Sequence, residues 1–184
     1  VALSGGKDSC FTLKLLAEHY GLRCLAVTVD NGFLSEQSIL NSNRLCDELG
    51  VDFLLWKPKR SFMNAMYVDS LDTENNNKGA IVRASDLCSG CINLINSVML
   101  KEAVARNIPM IAGGYIAGQV PKGSCVMDLR LETIATFAKV KNNTETQLFS
   151  LRHYQLSAQE LERFDVGDSV LIVNPMLSID YDEA

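Results

Sequence analysis

The order of apolar and polar positions predicts alternating strands and helices in the first third of the chain. An apolar run opens the sequence, and apolar side chains then recur at near-helical spacing up to Gly21. The next apolar stretch carries few charges, as is typical of a buried parallel strand. The predicted elements are a strand at 1–3, a helix at 10–20, a strand at 22–29, a helix at 35–49 and a strand at 52–56.

The remaining two thirds are less regular but continue this alternation. We expect polar or Gly- and Pro-containing loops at 72–79 and 115–125, and a polar linker after residue 140. The predicted helices cover 61–71, 92–106, 126–140 and 158–164, and the predicted strands cover 109–112 and 169–173. Short connections between strands and helices predict a doubly wound α/β fold with a parallel sheet, in one domain over 1–184.

Composition narrows the class of protein. Of the 184 residues, 47% are hydrophobic and 21% are charged, which is typical of a folded globular chain. The net charge of −5 argues against a large nucleic-acid surface. No apolar run approaches the ~20 residues that span a bilayer, so we expect no membrane association. Because the sequence starts without Met inside a predicted strand, we expect a fragment of a longer protein. A homodimer is the candidate assembly.

The six cysteines are scattered along the chain, unlike a disulfide framework. Cys10, Cys24 and Cys46 fall inside helix or strand patterns, and we expect them to pack as small hydrophobic side chains. Cys88 and Cys91 form the one local motif, Cys-Ser-Gly-Cys. Because free thiols are typical of a reducing compartment, we expect a cytoplasmic protein.

The hexapeptide Ser4-Gly5-Gly6-Lys7-Asp8-Ser9 lies between the first predicted strand and the first predicted helix. Two glycines let the backbone turn sharply and approach an anion, and the positive end of the helix favours phosphate oxygens. The hexapeptide also offers the hydroxyls of Ser4 and Ser9 and the ammonium group of Lys7. The Asp8 carboxylate could hold a metal ion. The Walker pattern is absent, because it needs a Gly-Lys-Ser/Thr ending. An ordinary Gly-rich turn with an Asp cap is the alternative interpretation.

This hexapeptide resembles the SGGxDS signature of the PP-loop ATP pyrophosphatases, and the order of elements resembles that family too. The resemblance implies an adenine-nucleotide alpha-hydrolase-like fold and an adenylating enzyme that cleaves ATP between the α and β phosphates. A substrate oxygen is adenylated, pyrophosphate leaves, and a nitrogen or sulfur nucleophile displaces AMP. Lys7 and Mg²⁺ would neutralise charge, Asp8 would join the metal or phosphate network, and the cradle would consist of Ser4, Gly5, Gly6 and Ser9.

Two further turns are predicted at the same edge of the sheet, and together with the hexapeptide they predict one nucleotide-binding site. Asp30-Asn31-Gly32 follows the second strand and Gly113-Gly114 follows the fourth, and open α/β sheets bind ligands at the carboxyl ends of their strands. The resemblance places Val29, Asp30 and Gly32 near the adenine and ribose of ATP. A turn-forming role alone is the alternative for Asp30.

Cys88 and Cys91 are predicted to lie just before a helix, a position that favours thiolates. Such a pair can bind a metal, carry a persulfide or form a reversible disulfide. With Cys125 as a third ligand, the pair would resemble the iron–sulfur site of tRNA-thiolation enzymes, and zinc is the other candidate metal. Two unligated thiols and a buried Cys125 are the alternatives.

The sequence does not identify the acceptor substrate that would be adenylated. Thiolation enzymes typically carry Gly-His and two acidic residues after the fourth strand, whereas this chain has Gly113-Gly114-Tyr115, and their third cysteine lies further downstream. Residues 174–181 resemble the end of N-acetyl-sugar amidotransferases, in which ammonia is the nucleophile. We expect a donor protein to supply sulfur or ammonia to an adenylated tRNA or small molecule. A non-catalytic adenine-nucleotide sensor is the other hypothesis.

Overall fold

The computed structural model describes residues 1–71, 86–120, 123–130, 134, 145–165 and 169–179. The chain divides into two compact units, which are described separately. The first unit comprises Val1–Lys57, Met110–Asp128 and Leu171–Ala184, and the second comprises Pro58–Pro109 and Leu129–Val170. The predicted loop at 72–79 lies outside the described residues.

Helices and strands alternate along the described chain. The helices are α1 Lys7–Lys14, continued by a π-helical turn at Leu15–His19, α2 Glu36–Leu49, α3 Arg60–Ser70, α4 Asp86–Ala105, α5 Glu145–His153 and α6 Ala158–Asp165. The strands are β1 Leu25–Val29, β2 Asp52–Trp56, β3 Met110–Ala112, β4 Val126–Leu129 and β5 Val170–Val173, and a 3₁₀ turn follows at Pro175–Leu177.

The strands form two small sheets that the first three residues connect. β1 pairs in parallel with β2, and the second sheet has the order β3-β5-β4, with β3 and β5 parallel. The Leu3 N–H donates to Val27 O and the Val27 N–H donates to Val1 O, both at 2.9 Å. The Ala2 N–H donates to Ala112 O at 2.9 Å. Residues 1–3 therefore lie between β1 and β3, in a mixed α/β unit with parallel strands.

The core of the first unit forms where α1 and α2 cover this sheet. Leu3, Leu13, Ala26 and Cys46 are buried together, and Cys10 and Cys24 pack against them. Burial, with a smaller effect of Asp47, raises the pKa of the Cys46 thiol to about 11. This packing confirms that these three cysteines act as small hydrophobic side chains.

Local signals at α2 give both of its ends as the sequence predicts. The Ser35 hydroxyl oxygen accepts from the Ser38 N–H at 3.1 Å, which caps the helix. Gly50 follows the last turn with φ +63°, the left-handed conformation that glycine adopts readily. The short helix predicted at 158–164 and the strand predicted at 169–173 are confirmed as α6 and β5.

Three predictions are wrong within the described residues. The helix predicted from residue 126 begins instead as strand β4, because Val126–Leu129 pairs in the second sheet. The Cys88–Cys91 motif lies inside the first two turns of α4 rather than before the helix. The predicted polar linker contains helix α5, whose residues 145–153 include Phe149.

The second unit packs its helices through aromatic side chains. Phe62 on α3 stacks on Phe149 with ring centroids 5.5 Å apart, and it contacts Tyr154 edge-on at 4.7 Å. The Tyr154 hydroxyl accepts from the Lys59 N–H at 2.9 Å, which ties the start of α3 to the end of α5. Across the described parts of both units, no helix combines the length and apolar character needed to cross a bilayer.

Truncation of the buried core of the first unit should be costly. Leu13 is 0% exposed, whereas Leu40 on the outer side of α2 is 60% exposed. We expect Leu13→Ala to lower the free energy of unfolding by about 2–5 kcal/mol, since it removes buried methyl groups and leaves a cavity. Leu40→Ala is the control and should change it by less than about 0.5 kcal/mol. Urea titration followed by circular dichroism measures both, and equal losses would contradict this packing.

Candidate functional site

The hexapeptide leaves the sheet at residue 4 and enters α1 at residue 7. Gly5 has φ +75°, and Gly6 is the N-cap of α1 in an extended conformation. Since a glycine cap has no side chain, it leaves the first-turn N–H groups of α1 without a side-chain cap. Lys7 is exposed and Asp8 is half-buried in this turn. The loop therefore presents a helix amino end, an ammonium group and a carboxylate at one place.

Hydroxyl groups hold the loop in shape from within. The Ser9 hydroxyl is buried and donates to Gly6 O at 3.0 Å. Its oxygen accepts from the Ser4 N–H at 3.1 Å and lies 3.0 Å from Ser4 Oγ. Ser9 therefore organises the turn, and the exposed Ser4 is the hydroxyl that a ligand can reach.

The first turn of α2 supports the loop from outside. The Ser38 hydroxyl donates to Ser4 O. A Cβ at Gly5 would collide with Ser38 O and would lie 2.7 Å from Ser38 Oγ. Gly5 is therefore required both by its positive φ and by the close approach of α2. Sequence reasoning missed Ser38, because a polar residue inside a helix carries no local signal of this contact.

The predicted Gly pair after β3 contacts the same loop. A Cβ at Gly114 would lie 2.9 Å from both the N and Cα atoms of Ser9. The backbone after β3 therefore packs directly on the first turn of α1. Because Ala2 bonds to Ala112, the carboxyl end of β3 and the hexapeptide lie side by side.

Asp30 forms the turn after β1. Its Oδ1 accepts from the Gly32 N–H at 3.0 Å, and its Oδ2 lies 3.9 Å from Lys57 Nζ. Gly32 has φ +87°, and a Cβ there would meet nothing within 4 Å. Val29 is the last residue of β1 and lies two positions beyond Val27, which pairs with Ala2. The turn-forming role of Asp30 is observed, and this turn stands at the loop's edge of the sheet.

Cys125 belongs to this unit and lies beside the end of β5. Its thiol contacts Asn174 O at 3.7 Å, and its backbone oxygen accepts from the Asn174 N–H at 2.8 Å. Cys88 and Cys91 belong to the other unit. No group of three or more His, Cys, Asp or Glu side chains that could hold a metal ion occurs among the described residues.

The Cys-Ser-Gly-Cys motif lies where α4 packs against α3. A Cβ at Gly90 would lie 2.8 Å from Ser70 Oγ, so the two helices approach closely at this point. Cys88 is exposed and Cys91 is half-buried. Burial, followed by the nearby Cys91 and Cys88, raises the pKa of Tyr67 to about 12, and the Cys91 side chain hydrogen-bonds with Tyr67. The two thiols therefore share their surroundings with a phenol from α3 that sequence reasoning missed.

Comparisons with known proteins give limited similarity. No protein-family model matches the chain. An uncharacterized protein from Methanocaldococcus jannaschii is 34% identical over 95 residues, which are 52% of this chain and 30% of that protein. Among solved structures, the U34-tRNA thiolase NcsA from Methanococcus maripaludis with its [4Fe-4S] cluster is 16% identical, with a TM-score of 0.41. That alignment covers 90% of this chain and 55% of the thiolase chain.

Alanine substitutions at two glycines should separate backbone strain from collision. Gly5 and Gly32 both have positive φ, but only Gly5 faces another part of the chain. We expect Gly32→Ala to lower the free energy of unfolding by about 1–2 kcal/mol. Gly5→Ala should lower it by a further 1–3 kcal/mol or so, because the methyl group meets Ser38. Urea unfolding measures both, and a Gly5→Ala loss no larger than that of Gly32→Ala would contradict the contact with α2.

The environment of Tyr67 predicts a late phenol titration. With its pKa raised from 10.0 to about 12, the fold favours the neutral phenol. Its contribution to stability is therefore complete below pH 10 and is lost as the pH rises from 10 to about 12. Near-ultraviolet absorbance should show a late phenol ionisation with a midpoint near pH 12. Tyr67→Phe should remove this late step, whereas Tyr20→Phe, at an exposed position, should leave it in place.

Proposed function

We propose that this chain is the ATP-binding catalytic domain of a PP-loop adenylating enzyme with a doubly wound, adenine-nucleotide alpha-hydrolase-like fold. The observation that carries the proposal is the hexapeptide itself, which runs from an interior strand into the amino end of α1 through the glycine N-cap Gly6 and is supported by Ser9 and Ser38. Backbone N–H groups at a helix start attract phosphate oxygens. The loop carries the residues that resemble the family signature. Gly5 and Gly114 allow the neighbouring backbone to pack closely against it.

The proposed binding mode follows from the position of each group. The phosphates lie on the amino end of α1, with Lys7 neutralising their charge and Ser4 donating its hydroxyl. Adenine and ribose lie toward Val29, Asp30 and Gly32 at the end of β1. The Asp8 carboxylate offers oxygen ligands of the kind that Mg²⁺ prefers. When bound there, Mg²⁺ would add positive charge at the phosphates.

The proposed reaction needs charge neutralisation and geometry rather than a side-chain nucleophile. An acceptor oxygen attacks the α phosphorus, the bond to the β-phosphate oxygen breaks, and pyrophosphate leaves with its electron pair. A sulfur or nitrogen nucleophile from a donor then displaces AMP. Lys7 and the α1 backbone stabilise the charge that develops on the leaving pyrophosphate. The rigid loop keeps the acceptor oxygen, the α phosphorus and the leaving oxygen in line. In this proposal Cys88 or Cys91 takes sulfane sulfur from a donor persulfide, which leaves as the thiol, and so becomes the persulfide that carries the sulfur.

Removal of the loop ammonium should weaken ATP binding. Lys7 and Lys14 stand at the two ends of α1 and are both exposed, but only Lys7 lies in the loop. We expect Lys7→Gln to raise the Kd for Mg²⁺–ATP about tenfold or more, because hydrogen bonds to charged groups contribute about 1.5–3 kcal/mol. Lys14→Gln is the matched control and should leave the Kd unchanged. Isothermal titration calorimetry measures both, and a wild-type chain that does not bind ATP would refute the proposal.

Product analysis separates the enzyme from the nucleotide sensor. ATP labelled at the α and γ phosphates, so that AMP and pyrophosphate are both detected, is incubated with the chain, ammonium or sulfide, and candidate acceptors. The adenylating enzyme forms AMP and pyrophosphate in equal amounts, and Lys7→Gln should suppress both. Tight ATP binding with no α–β cleavage would favour the sensor.

A further inference from the structure

The strand order divides the carboxyl edge of the first unit into two halves. The hexapeptide leaves from the segment between β1 and β3, in the middle of this edge. The Asp30 turn lies on the β1 side. On the other side lie Gly113 after β3 and Asn174 after β5, and β3 and β5 are parallel neighbours. If ATP occupies the loop and the β1 side, the β3–β5 side is the half that remains for the acceptor.

Asn174 is held in one orientation at this second half. It is 1% exposed. Its Nδ2 donates to Ser124 O at 2.8 Å, and its backbone N–H donates to Cys125 O at 2.8 Å. These bonds fix which end of the amide faces Ser124, so Oδ1 faces away from it. The side chain cannot flip without losing the bond to Ser124.

The Asn174 Oδ1 atom is a buried acceptor with no hydrogen-bond partner among the described residues. It faces Gly113, because a Cβ built there would lie 2.8 Å from it. The Tyr115 ring lies beside the same position, because its Cδ2 would be 2.9 Å from the Cβ built at Gly113. Burying an acceptor without a donor is costly, so native proteins pair nearly all such groups. This atom therefore points to a donor that arrives with a ligand.

We propose that the carboxyl ends of β3 and β5 form the acceptor half of the site, where Asn174 Oδ1 accepts a hydrogen bond from an amide-type N–H of the acceptor. This inference rests on the proposed function. A carboxylate acceptor would place oxygen lone pairs against Oδ1, which is repulsive. An amide presents a carbonyl oxygen for adenylation and an adjacent N–H for Asn174. Because Oδ1 is buried, the occupant displaces the neighbouring ring of Tyr115.

Two sources offer this chemistry, and the test distinguishes them. The N–H can belong to the lactam of a pyrimidine nucleoside or to the acetamido group of an N-acetyl sugar. Uridine and N-acetylglucosamine are the probes. Their N-methylated analogues, which keep the carbonyl but lack the N–H, are the matched controls. Binding of either probe supports the proposal and identifies the source.

The experiment follows the Asn174 side-chain amide in the ¹⁵N-labelled chain by nuclear magnetic resonance. Mg²⁺ and an ATP analogue with a methylene bridge between the α and β phosphates are added first, and each probe is then titrated. We expect the Asn174 signal, assigned by its loss in Asn174→Leu, to shift with uridine or N-acetylglucosamine. The N-methylated analogue of the probe that binds should bind at least tenfold more weakly.

Two variants test the same contact independently. Asn174→Leu removes the acceptor oxygen and should weaken probe binding at least tenfold while the ATP analogue still binds. Asn43→Leu, at an exposed asparagine of α2, should leave both unchanged. Failure of the analogue to bind the wild-type chain would refute the proposed function. If the ATP analogue binds but neither probe shifts the Asn174 signal, only this inference is overturned. The same holds if a probe and its N-methylated analogue bind with equal affinity. Both results come from the wild-type chain and do not depend on the folding of a variant.

Discussion

The backbone hydrogen bonds of residues 1–3 determine where the candidate site of the first unit lies. Leu3 and Val27 connect the segment to β1, and Ala2 connects it to Ala112 of β3. With a neighbour on each side, the segment is an interior strand, and its carboxyl end must open in the middle of the edge. The hexapeptide therefore starts between the ends of β1 and β3, where turns from both neighbours can reach it. The position of the candidate site is thus a consequence of strand pairing.

Close backbone packing then shapes the loop. Gly5 admits the first turn of α2, and Gly114 admits the strand end after β3 against Ser9. Neither contact leaves room for a side chain. The buried Ser9 hydroxyl bonds to Gly6 and to Ser4 and keeps the turn in one shape. A preorganised loop of this kind loses little conformational entropy when an anion binds.

Sequence reasoning succeeded where local signals are complete. Ser35 and Gly50 mark the two ends of α2 through chemistry within a few residues, and the apolar run that follows Asp52 is enough to mark a strand. It failed where distant partners decide. Val126–Leu129 is a strand because of β5, some 40 residues later. The Cys-Ser-Gly-Cys motif is predicted to precede a helix, yet it lies inside α4, where Gly90 leaves room for the close approach of Ser70 on α3. The orientation of Asn174 depends on Ser124, 50 positions earlier, so no local pattern could indicate it.

The contact between Gly114 and Ser9 brings two backbones together with no side chain between them. Packing this close would pass a shift of the first turn of α1 to the strand end after β3. The two halves of the edge are then thermodynamically linked. If nucleotide binding settles α1 and changes the affinity of the other half by some factor, a ligand there must change the affinity for nucleotide by the same factor. The contact at a single glycine would in that case carry the coupling between the two ligands of the site.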